Sequence, residues 1–296
     1  MILAGPTAVG KTSLSIELAK RFQTEIISAD SRQFFKEMEI GTAKPTEEEM
    51  DGVTHHFINS HSIHDNYNVG QFEKDALKKL DQLFQKHDVV FVVGGSGLYV
   101  KALCEGIDDM PAIPAEIRQK LNAEFEQNGI EYLQNEVAKC DPEYFKIVDQ
   151  QNPQRLIRAL ELYCATGKNM SFYRTQQNKV ERPFNIIKIG LERTREELYD
   201  RINLRMDQMI SEGLFEEAEK LYHYRNLNAL QTVGYSEIFG FLNGEYDREE
   251  AIRLLKRNSR RYAKRQMTWF KRDPEFVWFS AEDKGKVIDY LESKIG

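Results

Sequence analysis

The chain opens on a short apolar stretch, Met1–Ala4, that reads as a strand; a helical pattern follows, with apolar residues at Leu14, Leu18, Ala19 and Phe22. Ile26, Ile27 and Ala29 read as a second strand ending at Asp30. Phe72, Ala76, Leu80, Leu83 and Phe84 recur at helical spacing, and Asp88–Val93 then reads as a third strand. Its run Val89–Val93 is apolar without interruption, the pattern of a strand covered on both faces. Strands alternating with helices predict βαβ units, hence an α/β fold with a parallel sheet flanked by helices.

The pattern changes after Gly106. Residues 107–183 keep helical periodicity with few strand signals, punctuated by Pro111 and Pro114 at the entry and Arg182-Pro183 at the exit. This predicts a helical insertion domain over 108–183, set into a core made of 1–107 and 184–296. Ile186–Leu191 reads as a further buried strand, and helical patterns cover 194–212, 214–224, 232–242 and 247–272.

Composition narrows the class. A chain of 296 residues, 41% hydrophobic and 30% charged, is ordinary for a soluble globular protein. The longest apolar run is Val89–Val93, against the roughly 20 residues of a membrane-spanning helix, so no membrane association is expected. The N-terminus has no secretory-signal pattern, and Cys104, Cys140 and Cys164 are far apart in no metal-ligand spacing, which suits a reduced, cytoplasmic compartment. No coiled-coil pattern asks for an oligomer, so a monomer is expected.

The net charge is −6, but it is unevenly spread. Residues 253–272 hold nine Lys or Arg and no acid, and the rest of the chain keeps 32 basic against 47 acidic residues, a net of −15. That segment is either a solvated helix face or a stripe that binds a polyanion. Within it and just before it, Ile252, Leu255, Tyr262 and Trp269 form a stripe expected to face the core more than to stack on bases.

Gly5-Pro6-Thr7-Ala8-Val9-Gly10-Lys11-Thr12 fits G-x-x-x-x-G-K-[ST] between a strand and a helix. Such a loop turns backbone N–H groups toward an anion at a helix N-terminus, Lys11 reaches terminal phosphate oxygens, and the Thr12 hydroxyl suits Mg²⁺. An ordinary nucleotide hydrolase ends its third-strand run with an Mg²⁺-binding Asp. Here Val93 is followed by Gly94-Gly95-Ser96-Gly97. The carboxylate lies instead after strand two, at Asp30, where a general base for an acceptor and a cap for the next helix are equally good readings. Arg201 and Arg205 are four apart and share a helix face; a diphosphate ligand and a surface pair with Glu197 are both open for Arg201. His55, His56, His61 and His64 match no familiar metal site and are expected to serve loop packing or phosphate contacts.

Taken together, the strings GPTAVGKT (5–12), SADSRQ (28–33), IGTAKP (40–45), YNVGQFEKDA (67–76), GGSGLYVKAL (94–103), NPQRLIRALE (152–161), LYDRINLRMDQMISEGL (198–214), TVGYSE (232–237) and RRYAKRQMTWFKR (260–272) resemble the tRNA isopentenyltransferases. This is the IPP transferase or tRNA dimethylallyltransferase family of the P-loop superfamily, in its bacterial type. Ser96 stands where the family often has Thr, and Thr54 replaces a usual Pro before the histidine pair. The resemblance implies a P-loop NTPase-like fold with ATP-binding-type loop chemistry. It also implies transfer of a dimethylallyl group from dimethylallyl diphosphate to N6 of adenosine 37 in the tRNA anticodon stem-loop. By carry-over, Gly5–Thr12 hold the diphosphate, with Mg²⁺ on Thr12. Lys11, Thr12 and Arg201 stabilise the leaving group, and Asp30 takes the proton. Asp30, Ser31, Arg32, Gln33, Ser96, Arg118, Gln154, Arg155, Leu156, Ile157 and Arg158 contact tRNA, with Gln33 placed to pair an adenine edge. The residues themselves leave strand-end capping open for Ser96 and a solvated charge for Arg118. A P-loop small-molecule kinase, a free-nucleotide isopentenyltransferase and a non-catalytic RNA-binding module are the competing classes; the kinase leaves the basic C-terminal segment unexplained.

Overall fold

A computed structural model describes residues 1–108, 110–174 and 180–295. In chain order, β1 (Ile2–Ala4) leads through the Gly-rich loop into α1 (Lys11–Arg21), followed by β2 (Ile26–Ser28), α2 (Glu47–Met50), β3 (His55–His56), α3 (Val69–Leu83), β4 (Phe91–Gly94) and α4 (Gly97–Glu105). Then come α5 (Ala115–Cys140), α6 (Pro142–Ile147), α7 (Pro153–Thr166) and α8 (Met170–Arg174). The chain closes with β5 (Lys188–Glu192), α9 (Arg195–Ser211), α10 (Leu214–Leu221), α11 (Ser236–Leu242), α12 (Arg248–Phe270), β6 (Phe276–Ser280) and α13 (Lys284–Ile295). No described helix is long and apolar enough to cross a membrane.

The six strands form one parallel sheet in the order β3-β2-β4-β1-β5-β6. Leu3 of β1 sits opposite Val93 on one side and Ile189 on the other, so the short apolar stretch that opens the sequence lies in the middle of the sheet. All three residues of β1 are buried, because helices cover both faces of the sheet. Helix starts follow local chemistry. The Asn68 side chain accepts from the Gly70 and Gln71 N–H groups to open α3, Thr194 and Glu197 form a capping box on α9, and Asp247 accepts from the Glu250 N–H to open α12.

The chain divides into two compact units, Met1–Glu105 with Arg182–Gly296, and Gly106–Glu181. Arg182 belongs to the first because its guanidinium donates to Glu73 at 2.6 Å and to the Leu103 carbonyl at 2.9 Å. Among its described residues the second unit's regular elements are all helices, and it packs Leu133, Val137, Leu156, Ile157 and Leu160 into its own core. Its longest helix, α5, is broken at Gly129, whose φ of 73° departs from helical geometry.

Several expectations are corrected. The stretch read as a third strand pairs at Phe91–Gly94 and is the fourth strand, because the polar pair His55–His56 forms an edge strand beside β2. The strand expected at Ile186–Leu191 is shifted to Lys188–Glu192; Lys188 is buried there, held by Asp273 and Glu275 at 2.7 Å each. The pattern at 214–224 ends as α-helix at Leu221, and the one at 232–242 begins only at Ser236, since Gly234 takes a φ of 107°. β6 and α13 have no counterpart among the expected elements.

Candidate functional site

The Gly-rich loop leaves the carboxyl end of β1, the central strand, and delivers Lys11 as the first residue of α1. Gly10 has a φ of 113°, a conformation that L side chains rarely adopt, so the turn into the helix depends on it. The Lys11 ammonium donates to the Gly5 and Pro6 carbonyls at 2.9 and 2.8 Å, folding the lysine back over its own loop. The surrounding protein dehydrates that ammonium and pushes its pKa down to about 7, against a partly compensating pull from Asp30.

A cavity of about 640 Å³ opens over this loop. Its cationic side comes from α9. Arg201 Nε donates to the Ala8 carbonyl at 2.8 Å, and Arg205 donates to Thr7 Oγ1 at 3.4 Å and to the Ala43 carbonyl at 3.2 Å. Glu197 does not engage Arg201; its carboxylate returns to the Thr194 N–H of its own capping box. The next residues along α9, Met206 and Met209, are buried and line the cavity with Val233.

Asp30 lines the same cavity. One carboxylate oxygen, Oδ1, accepts from the Arg32 and Gln33 N–H groups at 2.9 and 3.3 Å. The capping reading therefore holds for a turn, not for a helix, and it uses one oxygen of two. Ser96 accepts from the Ser31 N–H at 2.9 Å and is buried, so it staples that turn to the segment preceding α4. Arg32 is largely enclosed, with its pKa lowered by burial.

Gln33 differs from expectation. Its amide nitrogen donates to the Thr42 and Ala43 carbonyls at 3.3 and 3.2 Å and its oxygen accepts from Ser28, so its donors are spent on the protein rather than free for a base edge. Leu156 and Ile157 are also corrected: both are fully buried in the helical unit, where their side chains are packing residues. The stripe on the basic helix splits. Leu255 is core, Tyr262 lines the cavity, and Trp269 is 36% exposed; the buried face of α12 is Ala251, Leu255, Ser259, Ala263, Gln266 and Phe270.

Two contributions, Gln266 and Glu217, had no local signal in the sequence, and a third, Tyr262, was read there only as part of a core-facing stripe. Gln266 of α12 accepts from the Thr7 N–H and donates to the Gly95 carbonyl, each at 2.9 Å, tying the Gly-rich loop to the turn after β4. Tyr262, beside Asp30 and Ser96, has its hydroxyl pKa pushed up to about 12, chiefly by burial. Glu217 of α10 accepts from the Glu39, Ile40 and Gly41 N–H groups at 2.9 to 3.0 Å and from the Tyr235 hydroxyl. A Cβ at Gly41 would strike the Tyr235 ring, so the segments IGTAKP and TVGYSE meet at this contact.

Two of the histidines make local packing or pairing contacts. His56 pairs with Glu25 at 2.6 Å, and His61 stacks on Tyr67 with ring centroids 3.7 Å apart. No group of three or more His, Cys, Asp or Glu that could hold a metal occurs among the described residues. The Thr12 hydroxyl and the Asp30 carboxylate are oxygen donors that share the cavity with the loop. That donor set suits a small hard ion taking most of its ligands from phosphate and water, as Mg²⁺ does, and would not hold one alone.

On α12, Arg261, Lys264 and Arg265 are exposed on one face and form no ion pair among the described residues. In the helical unit, Arg118 donates to Glu161 at 3.0 Å and to Gln154 Oε1 at 2.6 Å, and Arg158 lies 3.5 Å from the same Glu161. Arg155 is exposed, its backbone N–H capped by Asn152.

A parallel sheet with a G-x-x-x-x-G-K-T loop at the carboxyl end of its central strand defines a P-loop NTPase-like α/β protein, here with a helical insertion. The sequence profile of the IPP transferase family matches residues 33–273. A tRNA dimethylallyltransferase of Cytophaga hutchinsonii is 56% identical over 295 residues, covering 100% of this chain and 97% of that one. The crystal structure of the full-length tRNA isopentenylpyrophosphate transferase from Bacillus halodurans is similar with a TM-score of 0.73 and 39% identity, covering 99% of this chain and 95% of that one. A eukaryotic dimethylallyltransferase acting on tRNA is similar with a TM-score of 0.75 and 27% identity, covering 95% of this chain and 73% of that one. The chain belongs to the IPP transferase family and is an enzyme of the prenyltransferase class.

Proposed function

We propose that the enzyme transfers a dimethylallyl group from dimethylallyl diphosphate to N6 of adenosine 37 in the tRNA anticodon stem-loop, releasing diphosphate. The observation that carries this reading is one cavity lined by groups of three characters: the Gly-rich loop with Lys11 and Thr12 and the α9 arginines, the Asp30 carboxylate, and the apolar side chains of Met206 and Met209. In the reaction, N6 forms a bond to the allylic carbon, the carbon–oxygen bond to diphosphate breaks, and N6 gives up a proton. Lys11, Arg201 and Arg205 meet the charge gathering on the departing diphosphate. Asp30 keeps one oxygen free of its turn to accept the N6 proton. The Thr12 hydroxyl would help to hold a Mg²⁺ ion, whose chemistry would be further charge neutralisation of the leaving group.

The acceptor reading draws on the exposed cationic face of α12 and on Arg118, Gln154, Arg155 and Arg158 of the helical unit, since neutralising backbone phosphates is the main source of affinity for RNA. The relatives, which are named as transferases acting on tRNA, support it. A base stacked in a loop must be drawn out to reach such a cavity.

One incubation tests the whole reading. The enzyme, Mg²⁺ and radiolabelled dimethylallyl diphosphate are mixed with unmodified tRNA carrying A36-A37-A38, and in parallel with AMP. Label in the tRNA, lost when A37 is replaced by G, is the expected result. Label in AMP alone assigns a free-nucleotide prenyltransferase, and label in neither with ATP consumed in a third tube assigns a kinase.

A further inference from the structure

Glu161 is 2% exposed, on the inner side of α7 between the apolar residues Leu160 and Leu162, and no step of the proposed reaction uses it. A carboxylate in such a place is costly unless it is paired. Its partners are two residues far more open to solvent: Arg118 from α5, with Nη1 at 3.0 and 3.3 Å from the two carboxylate oxygens, and Arg158, one turn earlier on α7, at 3.5 Å. Their side chains are 45% and 37% exposed. Arg118 also gives its Nη2 to Gln154 Oε1, so one buried acid fixes a surface group of three polar side chains. Two guanidinium groups against one carboxylate leave a local charge of +1, and each guanidinium retains N–H donors beyond those spent on Glu161.

We propose that Glu161 is a positioning residue that holds Arg118 and Arg158 as a paired fork for a backbone phosphate of the RNA substrate. This rests on the reading of the enzyme as one that acts on tRNA. Long arginine side chains lose rotamer freedom on gripping a phosphate, and a partner buried beneath them removes that loss in advance. The proposal has a sign that charge counting lacks. Neutralising Glu161 raises the local charge from +1 to +2, which alone tightens binding of a polyanion, whereas loss of positioning weakens it.

The experiment measures binding of the enzyme to unmodified tRNA, with KM for tRNA and for dimethylallyl diphosphate determined separately. Glu161→Gln and Glu161→Asp are each expected to weaken tRNA binding about tenfold, the scale of a charge-assisted hydrogen bond, with KM for tRNA rising and KM for the prenyl donor unmoved. Adding Glu161→Gln to an Arg118→Ala/Arg158→Ala background should weaken binding no further. Tighter binding by Glu161→Gln, unchanged binding by the charge-preserving Glu161→Asp, or a Glu161→Gln penalty that persists in the double-alanine background overturns the proposal. If Glu161→Gln does not fold, the Asp variant decides. A wild-type enzyme that prenylates AMP but does not bind tRNA removes the underlying reading and this inference with it.

Discussion

Replacing Gln266 by Met removes both hydrogen bonds of its carboxamide while keeping the length and volume of the side chain. The Thr7 N–H and the Gly95 carbonyl would both lose their partner. The bond to the Gly95 carbonyl is buried and Gln266 is only 6% exposed, whereas the bond from the Thr7 N–H is only partly buried beside the cavity, so water can recover part of that second loss. An unsatisfied buried donor or acceptor costs about 1–3 kcal/mol, so two cost about 2–6 kcal/mol, lowered by roughly 1 kcal/mol for the apolar thioether. The expected destabilisation is then about 1–5 kcal/mol, against the roughly 5–15 kcal/mol typical of a folded domain. Urea unfolding of the full chain, followed by a probe in the sheet-containing unit, measures it as a lowered midpoint at unchanged slope. KM for the prenyl donor should rise as well, since the Thr7 amide belongs to the phosphate loop. A variant within about 0.5 kcal/mol of the wild type, with the same donor KM, would refute the idea that α12 clamps the loop.

Asp30→Asn keeps the Oδ1 acceptor that holds the Arg32 and Gln33 N–H groups, and should lower single-turnover transfer about 10²–10⁴-fold with tRNA affinity nearly unchanged; wild-type turnover would remove Asp30 as the proton acceptor. The free-enzyme pKa of Lys11, about 7, predicts that donor affinity falls as pH rises above 7, where the ammonium loses its charge. Its effect on stability has the opposite sign: between about 7 and 10.5 the unfolded chain keeps a proton that the folded lysine has shed, so the contribution of Lys11 rises with pH. A donor KM that is flat from about pH 6 to 9 would contradict this. Met209→Ala opens the apolar end of the cavity one turn beyond Arg205, and should raise turnover of geranyl diphosphate relative to dimethylallyl diphosphate; an unchanged ratio would mean that Met209 does not limit chain length. Binding to tRNA should weaken steeply with salt, and Arg261→Ala/Arg265→Ala should flatten the log–log slope by about 2.

What the sequence made legible was local. The G-x-x-x-x-G-K-T loop lies within eight consecutive residues, and the central strands are buried on both faces, so their apolar runs stand out. The edge strands have no such mark. His55–His56 is polar and two residues long, and Phe276–Ser280 mixes buried and open positions at the far side of the sheet. The site residues that escaped notice are those that reach it through the fold. Gln266 meets Thr7 across 259 positions of chain, and Glu217 meets Gly41 across 176. A lone glutamine inside a basic helix, or a lone glutamate in an amphipathic one, carries no pattern of its own. Gln33 and the pair Leu156 and Ile157 show the converse: belonging to a recognisable string does not free a side chain that the fold has already committed.

One helix, α12, carries the loop clamp Gln266, the cavity wall Tyr262 and the exposed cations Arg261, Lys264 and Arg265 within six positions. Each residue added to or removed from its interior turns everything downstream by about 100°. A single-codon insertion before Ser259 would thus swing arginines toward the cavity and present Gln266 to solvent, damaging both halves of the site at once. A surface loop absorbs a change in length without re-aiming its neighbours, whereas the interior of α12 tolerates only substitutions.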